Sequence, residues 1–115
     1  MITLYGIPNC DTVKKARAWL QAHGVEHQFH DFKKQGVPVD LLPAWQAELG
    51  WEALLNKKGT TWRKLPPDTQ AKVVDAASAL ALVVSEPSAI KRPVVTWPGQ
   101  TTVGFDEALW TRLLP

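Results

Sequence analysis

Alternating apolar and polar segments predict a strand, a helix and a second strand along the first third of the chain. Residues 2 to 5 form an apolar run that predicts a β-strand, ended by the glycine and proline that follow. A helix is predicted from Thr12 to His23, where apolar residues recur at helical spacing, and Gly24 ends it. Residues 25 to 32 alternate in polarity with a period of two. This order predicts two parallel strands joined by a right-handed crossover.

The middle of the chain predicts short helices. A helix capped by Asp40 is expected to end at Gly50, and one helical turn and a polar loop follow it as far as residue 61. A longer helical region is predicted from residue 66 to residue 86, and it divides into two helices near Asp75. Residues 62 to 65, between the polar loop and this helical region, are too few to predict a helix or a strand.

The last quarter predicts a β-hairpin and a final helix. Residues 94 to 97 and 101 to 103 are the two strands, and a Pro-Gly pair forms the turn between them. Asp106 is expected to cap a helix over residues 107 to 114. The order β-α-β, several helices, then β-β-α fits an α/β fold with a small four-stranded mixed sheet and helices on its faces.

Composition and charge narrow the classes of function. The 115 residues, 45% of them apolar, suit one globular domain with its own core. A net charge of +2 makes no general case for nucleic-acid binding. No signal peptide is expected, because the first residues read directly as a strand, and the longest apolar run, residues 76 to 84, is broken by Ser78 and too short to cross a bilayer. One cysteine cannot form an internal disulfide, so a reducing cytoplasm fits better than secretion.

Cys10, the single cysteine, is the main candidate for chemistry. It lies between the first strand and the first helix, where unpaired N–H groups and the helix dipole stabilise a thiolate. Such a position can lower a thiol pKa from ~8.5 to roughly 3.5–7.5. A lone cysteine is often a small buried hydrophobe instead. The flanking Asn9, Asp11 and Thr12 are loop and cap residues, however, and they favour the nucleophile.

A metal site is not expected from the histidines. The chain has three, and His27 and His30 point to opposite faces if their segment is a strand. With a single cysteine besides, the residues offer no converging ligand set.

Three segments resemble the arsenate-reductase-like family, which includes ArsC, the Spx regulators and the YffB proteins. They are YGIPNCDTVKK from residue 5, GWEALLNKKGTTWR from residue 50 and IKRPVV from residue 90. The YffB branch is most similar, and the resemblance covers essentially the whole chain. It implies a thioredoxin-like fold, with a four-stranded mixed sheet (βαβ … ββα), as a single domain over residues 1–115. A helical insertion at about residues 38–88 separates the two halves.

The resemblance also implies a site around Cys10. In this family a proline with a cis peptide bond faces the cysteine, and here the matching residue is Pro93. Arg92 would lie near the cysteine, hold an anion and favour the thiolate by its charge. The backbone of Arg92 and Val94 would pair with the peptide part of glutathione. The backbone N–H groups of Asp11 and Thr12 would steady the thiolate.

Other positions depart from the family pattern. Arsenate reductases of the family use three arginines, and two of them correspond here to Asn56 and Phe105. Lys57, Lys58 or Arg63 could replace part of the lost positive charge. In the Spx regulators a second cysteine lies three residues after the first, and Val13 takes that position here. A resolving thiol must therefore come from outside the chain.

These observations predict a glutathione-dependent thiol reductase that works through a mixed disulfide. Cys10 and Arg92 are the predicted catalytic residues, and the predicted substrate- or glutathione-binding residues are Asn9, Asp11, Thr12, Asn56, Arg63, Pro93 and Val94. Glutathione is expected as co-substrate, with no bound cofactor and no metal. The other substrate is a small thiol, disulfide or oxyanion.

The expected state is a cytoplasmic monomer with neither a nucleic-acid nor a membrane partner. Two alternatives remain open. One is an arsenate reductase, and the other is a non-enzymatic, Spx-like regulator that binds a protein partner.

Overall fold

The structure, a computed structural model, describes residues 1–115, and these form two compact units. The sheet unit comprises residues 1–32 and 92–115, and the helical unit comprises residues 33–91. None of the helices combines the length and the apolar character that a membrane crossing requires.

Four strands and eight helices follow one another along the chain. In order they are β1 (Ile2–Gly6), α1 (Asp11–Ala22), β2 (His27–Asp31), α2 (Phe32–Gln35), α3 (Leu42–Leu49), α4 (Trp51–Leu54), α5 (Thr60–Lys64), α6 (Pro67–Ala71), α7 (Ala76–Ser85), β3 (Val94–Trp97), β4 (Gln100–Val103) and α8 (Glu107–Leu113). A single 3-10 turn at Pro87–Ala89 follows α7.

The sheet is mixed, with strand order β2-β1-β3-β4. β1 and β2 are parallel because α1 supplies the crossover that parallel neighbours need, whereas β3 pairs antiparallel with β1 and β4. In the register, Leu4 lies opposite Phe29 of β2 and Val95 of β3. The predicted four-stranded mixed sheet and its parallel crossover are confirmed.

The core of the sheet unit joins α1 and α8 to the strands. Its fully buried members, each with 0% exposure, are Leu4, Val13, Ala16, Leu20, Val95 and Trp110. Around the Trp110 indole, the rings of Trp19, Trp97 and Phe105 pack edge-on with centroid distances of 4.8 to 5.6 Å. Burial of large apolar side chains contributes about 1.5–3 kcal/mol each, so this core fixes the strands on which the candidate site is built.

The helical unit has its own buried side chains. They include Leu42, Trp45, Leu54, Leu82 and Val83. A short antiparallel pairing connects the middle of the unit to its C-terminal end: Leu55 bridges Ile90, the Lys91 N–H donates to the Leu54 carbonyl at 2.7 Å, and the Asn56 N–H donates to the Ala89 carbonyl at 2.8 Å.

Several predicted boundaries are wrong. The predicted cap Asp40 is not used, since α3 starts at Leu42 with Leu41 as its N-cap and a proline in the first turn. The second strand ends at Asp31, because the next residue already begins α2. The predicted polar loop ends early, since α5 begins at Thr60.

Other predicted details are confirmed. The predicted break near Asp75 lies between α6 and α7. The structure adds that Asp75 caps α7, accepting a hydrogen bond from the Ser78 N–H at 2.9 Å. Asp106 caps α8 through the Leu109 N–H. The bond between Arg92 and Pro93 is cis.

Candidate active site at the start of helix α1

Cys10 occupies the corner between β1 and α1. Its backbone is extended (φ −111°, ψ 125°), and it is itself the N-cap of α1, so the prediction that Asp11 or Thr12 caps this helix is wrong. The Cys10 N–H donates to the Ile7 carbonyl at 3.2 Å, and the Cys10 carbonyl accepts from the Lys14 N–H at 2.9 Å. The cysteine therefore closes the loop and opens the helix at once.

Gly6 makes this corner tight. A Cβ atom at Gly6 would lie only 2.7 Å from Cγ2 of Val13, which is shorter than any ordinary carbon–carbon contact. Val13 is fully buried in the first turn of α1. The absence of a side chain at Gly6 therefore lets the start of the helix pack directly on the end of the strand.

The thiol is half-buried. Cys10 packs against the core of the sheet unit but keeps part of its surface accessible to solvent, and it forms no disulfide. A sulfur in this position can be reached by a small reactant, whereas a cysteine sealed in the core could not.

The surroundings of Cys10 favour its thiolate. Partial burial raises the pKa of the thiol. The Val13 N–H, the hydrogen-bonding and charged guanidinium of Arg92, and the Thr12 N–H lower it, and together they outweigh the effect of burial. The net pKa of Cys10 lies below that of an ordinary thiol. The side chain makes no conventional capping hydrogen bond, yet the Val13 and Thr12 N–H groups and the Arg92 guanidinium lie close enough to the sulfur to favour its thiolate.

Arg92 reaches Cys10 because of the strand order. β3 runs antiparallel to β1, with Val94 opposite Tyr5, so the start of β3 lies beside the end of β1. Pro93 is buried, and its carbonyl accepts from the Gly104 N–H at 2.8 Å, which anchors the residue that follows Arg92. Two residues 82 positions apart in the sequence are thereby held next to each other.

The other predicted site residues of the sheet unit surround this pair. Asn9, Asp11 and Thr12 are exposed at the start of α1. Val94 is fully buried between β1 and β4, so its side chain does not reach solvent. Their predicted roles toward a substrate stay predictions.

Val13 is a functional residue that sequence reasoning missed. Asp11 and Thr12 were the predicted N–H donors to the thiolate, but the structure assigns this effect to Val13 and Thr12. The general geometry of helix N-caps could have identified Val13 from the sequence. An N-cap side chain faces the N–H groups two and three positions later, and for Cys10 those are Thr12 and Val13.

Asn56 and Arg63 belong to the helical unit. The Asn56 side-chain oxygen accepts from the Lys58 N–H at 3.2 Å, and Arg63 is exposed in the last turn of α5. The Lys57 ammonium is held over the rings of Trp51 and Trp62, at 5.9 and 5.4 Å from their centroids. Whether these residues bind a substrate stays a prediction.

Phe105 has a packing role. It contacts the rings of Trp110 and Trp19, with centroid distances of 4.8 and 6.4 Å. A side chain packed in this aromatic cluster offers neither charge nor hydrogen-bond donor to an anion.

The sheet unit holds no cluster of metal ligands, and its cleft beside Met1 lies away from Cys10. No three His, Cys, Asp or Glu residues converge on a point that could hold an ion. A cleft of about 540 Å³, lined by Met1, Arg17 and His27 among others, opens at the beginning of β1, the end opposite to Cys10.

Comparison with known proteins gives consistent matches over the whole chain. The model of the ArsC family matches residues 5–113. The solved structure of the YFFB (PA3664) protein is 45% identical with a TM-score of 0.94, and the match covers 100% of each chain. An arsenate reductase (ArsC) related protein from Brucella melitensis is 49% identical with a TM-score of 0.75, over 96% of this chain and 92% of that one.

A relative with a different described role also matches. The global transcriptional regulator Spx 1 of Lactococcus lactis is 31% identical over 117 residues, covering 100% of this chain and 90% of that protein. Together these matches confirm the predicted family resemblance and the thioredoxin-like fold class.

Proposed function

The chain belongs to the ArsC family, and from that premise we propose that it is a glutathione-dependent thiol reductase with Cys10 as its only nucleophile. The observation that carries the proposal is the half-exposed Cys10 sulfur, whose pKa is held below that of an ordinary thiol by Arg92 and the first turn of α1. The thiolate is the reactive form in exchange with disulfides.

The proposed reaction has two balanced exchanges. In the first, the Cys10 thiolate attacks the glutathione sulfur of a mixed disulfide between glutathione and a substrate thiol. A bond forms between Cys10 and glutathione, and the substrate leaves as its thiolate. In the second, the thiolate of free glutathione attacks the glutathione sulfur on Cys10. Glutathione disulfide is released and the Cys10 thiolate is restored.

Arg92 has two roles in this scheme. Its positive charge favours the Cys10 thiolate before each attack and stabilises the same thiolate as a leaving group in the second exchange. Its guanidinium also offers a paired donor geometry that suits the carboxylates of glutathione. Loss of a hydrogen bond to a charged group costs ~1.5–3 kcal/mol, so Arg92→Met should lower kcat/KM by roughly 10- to 100-fold.

The resolving thiol is external because the chain contains no second cysteine. Val13, three residues after Cys10, is fully buried and apolar. A reducing cytoplasm, where glutathione is abundant, suits this requirement.

The decisive experiment combines adduct formation with turnover. The protein is treated with glutathione disulfide and analysed by mass spectrometry, and we expect one glutathione adduct on Cys10 and none on Cys10→Ser. Reduction of a glutathionylated peptide by glutathione is then followed with wild type, Arg92→Met and the neighbouring control Lys91→Met. The proposal is wrong if no adduct forms on Cys10, or if the adduct forms and glutathione does not release it.

Arsenate reduction is a second candidate, because a similar solved structure is described as arsenate reductase related. It shares the Cys10 nucleophile but needs a site for an oxyanion. Arsenite production from arsenate in the presence of glutathione tests it directly. Turnover with arsenate but not with glutathionylated peptides would favour this reading.

A regulatory role is the third candidate, because the match to the regulator Spx 1 spans the whole chain. Such a protein would bind a protein partner without turnover. A stoichiometric partner that binds Cys10→Ser as well as wild type, together with no catalysis in the assays above, would favour this role.

A further inference from the structure

An open apolar groove crosses the surface of the helical unit between α3 and α7. It measures about 430 Å³, and its lining residues are Val39, Leu42, Pro43, Leu80, Ala81, Val84 and Ser85. We refer to it as the α3–α7 groove. It contains none of the residues assigned to the chemistry of Cys10.

Several apolar side chains around this groove are exposed to solvent. Val39 is 58% exposed and Val84 is 41% exposed, on opposite walls of the groove. α7 carries no charged residue from Ala76 to Ser85, and Ala81 and Ala77 lie one and two turns before Val84 on its exposed side. Contiguous exposed apolar surface of this kind marks an interaction site.

The two chain segments that supply the lining of the groove carry charges of one sign. Residues 36–56 and 73–90 contain five Asp or Glu and no Lys or Arg, although the chain as a whole has 13 Lys and Arg and a net charge of +2. Asp40 adjoins Val39 on one wall, and Asp75 and Glu86 lie at the two ends of α7. Cations begin just outside the second segment, at Lys72 and Lys91.

This charge pattern disfavours a second copy of the chain as the occupant. If two copies packed through α7 in antiparallel fashion, Asp75 of one would approach Glu86 of the other. In a parallel arrangement, Asp75 would approach Asp75 of the other copy, and Glu86 would approach Glu86. Both arrangements bring carboxylates together, which is unfavourable. An anionic lipid surface is disfavoured for the same reason.

We propose that the α3–α7 groove binds an amphipathic helix of a partner protein whose apolar residues are flanked by lysine or arginine. A groove between two helices accepts side chains spaced three and four residues apart along a third helix. The lysine or arginine residues that flank the partner helix then complement the carboxylates of the two segments that line the groove. The proposal does not depend on the function proposed for Cys10.

The test uses synthetic helical peptides about 18 residues long that share a stripe of Leu, Ala or Val. Each stripe is made with lysine flanks and with glutamate flanks, and binding of fluorescent peptides to the full chain is measured by anisotropy. We expect the lysine-flanked peptides to bind at least about tenfold more tightly at low salt, with the difference shrinking as salt screens these carboxylates.

Variants of the chain identify the site. Val84→Lys and, on the other wall, Val39→Lys should each weaken the lysine-flanked peptides about tenfold or more, because both add a cation and block the groove. Ala53→Lys makes the same charge change at an exposed position that does not line the groove, and it should leave binding unchanged. Circular dichroism checks that each variant is folded, and Cys10→Ser should bind as wild type does.

Three results would overturn the proposal. In one, no lysine-flanked peptide binds. In another, peptides with glutamate flanks bind equally well. In the third, sedimentation shows a dimer that Val84→Lys separates, which would assign the groove to a second copy.

Discussion

Cys10 and its neighbours set the chemistry at the scale of single residues. Burial of the sulfur disfavours the thiolate, whereas Arg92 and the N–H groups of Val13 and Thr12 favour it, and the favourable effects are larger in sum. Because the sulfur is only half-buried, these few groups determine the balance between thiol and thiolate. Single substitutions should therefore change the pKa of Cys10 measurably.

Arg92→Met should raise the pKa of Cys10. The lowered pKa keeps the thiol ionised at pH values where an ordinary thiol is protonated, and alkylation slows as the pH falls through it. Without the guanidinium, the midpoint of the rate against pH should move upward. Iodoacetamide alkylation measured over a pH series tests this. Lys91→Met removes an adjacent exposed cation and should leave the midpoint in place, and an unmoved midpoint in Arg92→Met would contradict the assigned role.

Gly6→Ala should destabilise the corner that presents Cys10. The new methyl group would lie 2.7 Å from a methyl group of Val13, so either the strand end or the helix start must move. Such overpacking costs about 1–3 kcal/mol of unfolding free energy, measurable by urea denaturation. Val13→Ala provides room, so the double variant should be less destabilised than the sum of the two single ones. Strict additivity would mean that the contact is not the cause.

At the scale of elements, side-chain caps mark the starts of two helices, α7 and α8. Asp75 and Ser78 cap α7 reciprocally, with the Ser78 hydroxyl accepting from the Asp75 N–H at 3.1 Å. α1 has no such cap, since its N-cap is a cysteine without a conventional hydrogen bond. The first turn of α1 therefore directs its unpaired N–H groups at a reactive atom, whereas α7 and α8 satisfy theirs internally.

Asp106→Ala should destabilise α8 while leaving the chemistry of Cys10 unchanged. The carboxylate accepts the Leu109 N–H at 3.2 Å, and loss of such a cap costs about 1 kcal/mol. Asp106→Asn keeps an acceptor in the same place and should lose much less. Urea unfolding of both variants measures the difference. Equal losses would show that charge rather than capping is responsible.

At the scale of the whole molecule, the two units differ in how they are built. The sheet unit is organised by two central strands that are paired on both sides. The helical unit contains several helices of only four or five residues, α4, α5 and α6 among them. Short helices have little stability of their own and depend on packing. The units should therefore differ in local opening.

Hydrogen exchange should reveal that difference. Amides of β1 and β3 should exchange about 100-fold or more slowly than those of α4, α5 and α6, because local opening is easiest where elements are short. Exchange followed by mass spectrometry on peptide fragments measures both sets in one experiment. Uniform protection across the chain would show instead that the molecule opens only as a whole.

The sequence predicted the features that depend on local chemistry. The β-α-β order, the hairpin, the break near Asp75 and the cap Asp106 follow from periodicity and from residues that bond to nearby backbone. Predicted helix boundaries were wrong where more than one residue could have begun the helix. Asp40 is a good cap in isolation, but α3 begins two residues later. The cis bond before Pro93 followed from the family resemblance, because spacing alone could not distinguish it from a trans bond.

By itself, then, the sequence determined that one cysteine lies between a strand and a helix, and that any second thiol must come from elsewhere. Only the tertiary structure decided which groups act on that cysteine. Arg92 reaches it because β3 pairs antiparallel with β1, and the Val13 N–H faces it because Cys10, not Asp11 or Thr12, is the N-cap. Local propensity does not encode strand pairing or the register of a helix start. Both are fixed by burial of side chains that are far apart in the chain.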